Sequence, residues 1–304
     1  MSFFLGVDGG GTRTRVALVD GAGRECARAE GPPTLVDPAN PSATIDVITD
    51  LCREVASEGG VDLPVAGLWA GIAGAGTEPT RGVVEAALRE AGLSSATSVG
   101  ADAEATFHDA FPSGPGILLL SGTGSIALGR GADGSSLRVG GWGVHLGDEG
   151  SGYRIGMWAL RALARGEDGR GVATDLRDPV LEVLGLARPA DLIKWIASAG
   201  KDDVASLVPL ICEVAEAGDQ AATTVIEEAV DALVGHVRTL VRRLEPWPDT
   251  PEVALGGGLI EEDGPLRLRV IQAIEGLSYQ HLDRALDGAR GACSLAMGLV
   301  GRTV

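Results

Sequence analysis

Lysine is almost missing from this chain: Lys194 and Lys201 are the only two in 304 residues, and the rest of its 25 basic side chains are arginines. A phosphate loop of the G-x-x-x-x-G-K-[ST] type is thereby excluded, since Gly200-Lys201 runs into Asp202 and lacks the earlier glycine. Positive charge is scarce overall. Against 42 acidic residues the net charge is −17, a field that repels nucleic acids and anionic membrane surfaces. The four cysteines, Cys26, Cys52, Cys212 and Cys293, lie too far apart for a zinc or iron–sulfur motif and read as free thiols. No apolar run reaches the ~18 residues of a membrane span, and the start, Met1-Ser2-Phe3-Phe4-Leu5, lacks the basic and apolar regions of a secretion signal. The expectation is a soluble, cytoplasmic protein with neither a nucleic-acid nor a membrane partner.

The length fits two domains of about 150 residues, and 45% hydrophobic residues with 46 glycines describe a folded protein rich in tight turns. Residues 3–8, 14–20 and 24–30 alternate as strands of an antiparallel meander. Helical patterns at 42–57 and 79–91 then interleave with short apolar runs at 65–70 and 96–100, which is α/β organisation. Residues 116–128 repeat the opening device of apolar strand, small-residue turn and second strand. Asp8-Gly9-Gly10-Gly11-Thr12 aligns with Ser121-Gly122-Thr123-Gly124-Ser125 at a constant offset of 113, which implies a duplicated domain. The second half reads as mostly helical, with helices near 150–165, 201–217, 220–244 and 290–301, interrupted by a strand at 252–255 that enters Gly256-Gly257-Gly258. The boundary is placed at the Pro112-Ser113-Gly114-Pro115 cluster, giving domains 1–113 and 114–304 and leaving the last helix free to pack back on the first.

Glycine turns after strands suit phosphate binding, and the flanking pattern decides the kind. A Rossmann fingerprint needs G-x-G-x-x-G and then a helix, whereas Thr14 holds the sixth position here and Arg13–Val19 alternates like a strand. What remains is a hairpin turn with exposed amides and hydroxyls, present twice.

The ordered set Gly6-Val7-Asp8-Gly9-Gly10-Gly11-Thr12-Arg13-Thr14, Leu120-Ser121-Gly122-Thr123-Gly124-Ser125, Gly140-Gly141-Trp142-Gly143, Gly147-Asp148-Glu149-Gly150-Ser151 and Ala254-Leu255-Gly256-Gly257-Gly258 resembles the BadF/BadG/BcrA/BcrD-type ATPases. Within them it is most similar to the N-acetylglucosamine and glucosamine kinases of the sugar kinase/Hsp70/actin superfamily. The resemblance implies two actin-like, ribonuclease H-like α/β domains around a nucleotide cleft, the second helix-rich, with ATP and Mg²⁺ as cofactors and a homodimer as the assembly. It makes Asp8 the carboxylate that organises the metal. Gly10, Gly11, Thr12 and Arg13 become the first phosphate turn, Gly122, Thr123, Gly124 and Ser125 the second, and Gly256, Gly257 and Gly258 the adenosine segment. Asp102, after a short strand and at a helix start, becomes the general base, where a bare helix cap is the alternative. Trp142, Gly143 and Asp148 are assigned to the sugar together with Thr123 and Asp102, while His145 reads as a surface or partly buried histidine, not a catalytic one.

One departure concerns the acceptor. The amino-sugar kinases carry a sugar-binding Asn after the third strand; Thr34 stands at that place, and Asn40 lies too far along to replace it. The expected activity is transfer of the γ-phosphoryl group of ATP to an amino sugar, N-acetylglucosamine or glucosamine, at the 6-hydroxyl. N-acetylmuramic acid and glucose remain open as acceptors. The second reading is a BadF-type activator or regulator without kinase activity, which in its cluster-bearing form needs grouped cysteines that this chain lacks.

Overall fold

A computed structural model describes residues 1–36 and 41–301. In chain order the elements are β1 (Phe3–Gly9), β2 (Thr14–Asp20), β3 (Glu25–Gly31), α1 (Ser42–Glu58), β4 (Gly67–Ile72), α2 (Thr80–Glu90), β5 (Thr97–Gly100) and α3 (Asp102–Ala110). There follow β6 (Gly116–Ser121), β7 (Ser125–Arg130), β8 (Ser136–Gly140), α4 (Gly143–Leu146), α5 (Gly152–Glu167), α6 (Arg177–Leu184), α7 (Leu192–Ser198), α8 (Lys201–Ala205), α9 (Val208–Glu216) and α10 (Gln220–Arg243). The chain ends with β9 (Glu252–Gly256), α11 (Arg267–Glu275), β10 (Gln280–His281) and α12 (Gly288–Val300). It divides into two compact units, residues 1–113 with 286–304, and residues 114–285.

The duplication is visible in the sheets. The first runs β3-β2-β1-β4-β5 and the second β8-β7-β6-β9-β10, the same order of an antiparallel meander followed by parallel strands. Each unit is thus an actin-like α/β layer. The turns differ slightly, with Gly9 opposite Thr14 in the first hairpin and Ser121 opposite Ser125 in the second. Central strands are apolar throughout because helices cover them: Leu5, Val7, Leu68 and Ala70 are fully buried in the first unit, as are Ile117, Leu118 and Leu119 in the second.

The first unit's core is completed by α12. Its small residues Ala289, Ala292, Cys293 and Ala296 pack against Phe4, Trp69 and Ala105, and this close packing draws the helix tightly against β1, β4 and α3. Cys293 is buried there, and its thiol is pushed up to about 12 by that burial. In the second unit α10 starts on Asp219, whose carboxylate accepts the Ala222 amide at 2.7 Å, and buries Val225, Ala229, Leu233, Val237 and Leu240 at helical spacing. The single helix expected over 201–217 is two helices. Pro209 has no amide hydrogen and sits in the first turn of α9, so the chain restarts there. Helices α6, α7 and α11 and strand β8 were not foreseen. α6, α7 and α11 bury only one or two apolar residues each, too weak a periodicity to separate from loop.

Candidate functional site

Asp8 is the next-to-last residue of β1. It lies opposite Gly71 of the parallel strand β4, and β4 in turn pairs Gly71 with Gly100 of β5. Asp102 follows β5 by two residues, and a Cβ on Gly71 would stand 3.1 Å from its Cα. The two carboxylates therefore gather at the same strand ends of one sheet, where open α/β sheets present ligands.

The Asp8 carboxyl is 18% exposed and rests over the N-terminal turn of α12. A Cβ on Gly288 would fall 2.5 Å from its carboxyl carbon, so only glycine admits it. Gly288 escaped the sequence reading. The signal was the helix start Asp287-Gly288-Ala289-Arg290, where Asp287 accepts the Arg290 amide at 3.2 Å and the Arg28 guanidinium at 2.7 Å. Burial pushes the Asp8 carboxyl up to about 7, the charges of Asp102 and Asp287 add to the rise, and Arg13 and Arg28 oppose it. Burial likewise raises Asp102. The cap position of α3 belongs to Ala101, and Asp102 accepts the neighbouring Ala103 amide at 2.9 Å as the first helical residue. A pair of partly desolvated carboxylates, each raising or raised by its surroundings, is the oxygen donor chemistry that a hard divalent cation satisfies, so the residues fit Mg²⁺.

The first turn closes with the Gly10 amide donating to the Arg13 carbonyl at 3.0 Å and leaves Gly11, Thr12 and Arg13 exposed. Thr34 is not on that exposed edge. It is buried at 1% exposure, its amide donates to the Gly10 carbonyl, and its hydroxyl meets the Thr14 hydroxyl at 2.9 Å, itself a donor to the Pro32 carbonyl. Its side chain lies against Gly9, so the expectation that Thr34 faces the acceptor is corrected: it props the turn from inside. Asn40 lies outside the described residues.

In the second unit the turn Gly122–Gly124 joins three segments. The Gly122 amide donates to the Gly124 carbonyl at 2.9 Å, and the Gly258 amide is the nearest neighbour of a Cβ placed on Gly122, 3.8 Å away. Gly257 adopts φ 86° directly against Ser121, and a Cβ there would lie 2.5 Å from the Ser121 carbonyl oxygen. Asp148 is 7% exposed in a left-handed conformation, φ 55°, with its carboxylate 3.4 Å from a Cβ placed on Gly124. The structure thus brings Gly122, Gly124, Asp148, Gly257 and Gly258 together.

Ser125 stands apart from them. It is 4% exposed and its hydroxyl donates to the Glu149 carbonyl at 2.7 Å, as Ser121 does to the Gly150 carbonyl at 3.0 Å. Its proton is spent on docking the Asp148–Ser151 segment, which corrects its expected place among the phosphate donors. Trp142 is 65% exposed, with the Arg138 guanidinium 5.2 Å from its ring centre, and so is no core residue; His145 is exposed as expected. Arg154 of α5 was missed by the sequence reading. It donates to the Val144 carbonyl at 2.9 Å and the Gly147 carbonyl at 2.6 Å, clamping the segment between Trp142 and Asp148. No motif marks it, because its partners are carbonyls.

All four cysteines are free, no cluster of three metal-binding side chains occurs among the described residues, and no described helix is long and apolar enough to cross a membrane. Comparison with known proteins agrees with the motif order. A Dictyostelium discoideum protein named N-acetyl-D-glucosamine kinase is 32% identical over 318 residues, covering 97% of both chains. A Clostridium acetobutylicum protein named N-acetylmuramic acid/N-acetylglucosamine kinase is 30% identical over 86% of both. A crystal structure from Chromobacterium violaceum, described as a candidate N-acetylglucosamine kinase, superposes with a TM-score of 0.81 at 26% identity, covering 98% of this chain and 99% of the other. With its family profile matching residues 5–296, the chain belongs to the BadF/BadG/BcrA/BcrD ATPase family.

Proposed function

We propose that this protein is an ATP-dependent amino-sugar kinase that transfers the γ-phosphoryl group to a hydroxyl of N-acetylglucosamine, with the 6-hydroxyl as the expected acceptor. The observation that carries the reading is the carboxylate pair: Asp8 at the end of β1 and Asp102 just past the end of β5, with β4 between them, one beside the open glycine turn, the other at the head of α3. Phosphoryl transfer asks for positioning and charge neutralisation more than covalent chemistry. Asp8 would hold Mg²⁺, which would supply neutralisation of the phosphate charge. Asp102 accepts the proton of the attacking hydroxyl, a task for which a raised carboxyl is better suited than an ordinary one. The amides of Gly11 and Thr12 in the first unit and of Gly258 in the second replace the absent lysine as phosphate donors, while the Gly122 amide closes its own turn on the Gly124 carbonyl; Trp142 and Asp148 receive the sugar's apolar face and hydroxyls.

Two expected outcomes belong to these assignments. Gly122→Val puts a branched side chain beside the Gly258 amide and should weaken adenine-nucleotide affinity at least tenfold in a folded protein. Fluorescent-nucleotide titration checks it, and wild-type affinity would remove the turn from the phosphate site. Arg154→Ala releases the Val144 and Gly147 carbonyls and should raise the sugar KM by about three- to tenfold while leaving the ATP KM in place, as expected for two lost charge-assisted bonds outside the nucleotide's reach. The reading as a whole is tested by coupled ADP release over N-acetylglucosamine, glucosamine, N-acetylmuramic acid and glucose. Sugar-stimulated turnover supports a kinase, whereas nucleotide binding with no stimulation by any of the four supports a regulator.

A further inference from the structure

The segment from Gly141 to Glu149 leaves the second sheet and returns to it at one point. Ser125 holds both ends there from the strand side, its carbonyl accepting the Gly141 amide at 2.9 Å and its hydroxyl donating to the Glu149 carbonyl at 2.7 Å. Between those ends lie Trp142 and Asp148. Helix α10 meets the same neck from the other side. A Cβ on Gly150 would stand 2.5 Å from the Leu233 Cγ, and the His236 ring covers Gly140, its Cε1 3.0 Å from a Cβ placed there. The His236 Nε2 lies 3.7 Å from Glu149 Oε2. One imidazole thus stands against the residue before the loop and the last residue in it.

Packing alone does not account for a histidine at this place. Leu233 and Val237 beside it on α10 are fully buried and His236 is 8% exposed, a setting where leucine would fill the space with better helix propensity and no polar atom. The imidazole instead buries Nδ1 without a hydrogen-bond partner among the described residues. A neutral ring has one proton, and the Glu149 carboxylate draws it to Nε2, leaving Nδ1 a bare lone pair. Charging the ring would add a second buried N–H with nothing to accept it. Burial accordingly holds the imidazole below its ordinary value, although Glu149 and Asp148 pull it up. An orphaned buried nitrogen costs stability, and such local costs gather where a side chain serves a site.

We infer that His236 is a positioning residue for the acceptor: its ring, set against Gly140 and facing Glu149, holds the neck of the 141–149 loop so that Trp142 and Asp148 meet one sugar together. The inference rests on the kinase reading above, and it gives His236 no contact with either substrate. The distance to Glu149 is longer than a formed hydrogen bond, so the expected effect is several-fold and not orders of magnitude.

Calorimetric titration of N-acetylglucosamine and, separately, of ADP into wild type, His236→Leu, Glu149→Ala and the double variant tests it, with thermal unfolding of each free protein alongside. His236→Leu keeps bulk beside Gly140 and removes the orphaned nitrogen, so its melting temperature should equal or exceed that of the wild type. Its sugar Kd should nevertheless rise about three- to tenfold, with the ADP Kd within twofold. A ring that only fills space predicts no loss of either affinity, because leucine fills that space too. Glu149→Ala should weaken sugar binding to a similar degree, and joining it to His236→Leu should add little, since the two side chains act on the loop as a pair. An unchanged sugar Kd in His236→Leu, a lower melting temperature with equal losses for sugar and ADP, or an undiminished Glu149→Ala penalty in the His236→Leu background each overturns the inference and leaves the kinase reading intact. A wild-type protein that binds none of the four sugars named above is a different result, read before any variant: it overturns the kinase reading, and the inference falls with it.

Discussion

Asp102→Asn should lower kcat by about 10²–10⁴ while the KM values for ATP and sugar stay within about threefold, the signature of losing a group that acts on the transferring proton and not on ground-state binding. The substitution is nearly isosteric. Its amide oxygen can keep the bond from the Ala103 amide at 2.9 Å, so α3 should start as before. The helix cap itself is Ala101, so a purely structural Asp102 predicts almost no change in either stability or turnover. Asp102→Ala gives the control: it removes both the acceptor for Ala103 and the base, and should cost about 1 kcal/mol of stability on top of the same loss in kcat. Steady-state kinetics with thermal unfolding alongside separates the two, and a fully active, normally stable Asn variant would strip Asp102 of the role and move it to Asp148.

Asp8→Asn is expected to abolish turnover yet stabilise the metal-free protein above neutral pH. An amide is a far poorer ligand for a hard dication than a carboxylate, so metal-dependent catalysis should fall to background. Stability moves the other way. The folded-state value of Asp8, about 7, lies above its ordinary 3.8, so its contribution is complete below about pH 3.8 and is lost as pH rises through about 7. By pH 8 in EDTA the wild type carries a partly desolvated charge facing Asp102 and Asp287, a loss on the order of 2–4 kcal/mol that the neutral Asn does not suffer. Thermal unfolding in EDTA should show the variant ahead at pH 8 and the gap narrowing toward pH 5. A gap that ignores pH would mean that the Asp8 carboxyl is not held in this environment.

The two hairpins were legible because each places alternating apolar residues on both sides of a glycine turn, a pattern local enough to survive without knowledge of neighbours, and the offset of 113 then foretold the matching sheet orders. Asp8 and Asp102 were legible as motif residues, but their proximity was not, since it depends on β4 inserting between β1 and β5 with Gly71 at the crossing point. Thr34 and Ser125 carried hydroxyls in the expected stretches, and sequence cannot say which way a hydroxyl turns; in both cases it turns inward to a backbone or side-chain partner. Arg154 was invisible for a related reason, and Gly288 showed only as a glycine at a helix start. Gly288 meets Asp8 through a close approach and Arg154 holds the Val144 and Gly147 carbonyls, contacts that leave no periodic or clustered trace in the sequence.

The most direct measurement of the central claim is phosphorus NMR of the protein incubated with MgATP and N-acetylglucosamine, because it identifies the atom that receives the phosphoryl group. A sugar phosphate monoester accumulating in step with ADP, absent with Asp102→Asn, is the predicted result; ADP accompanied by inorganic phosphate with no sugar ester would contradict it.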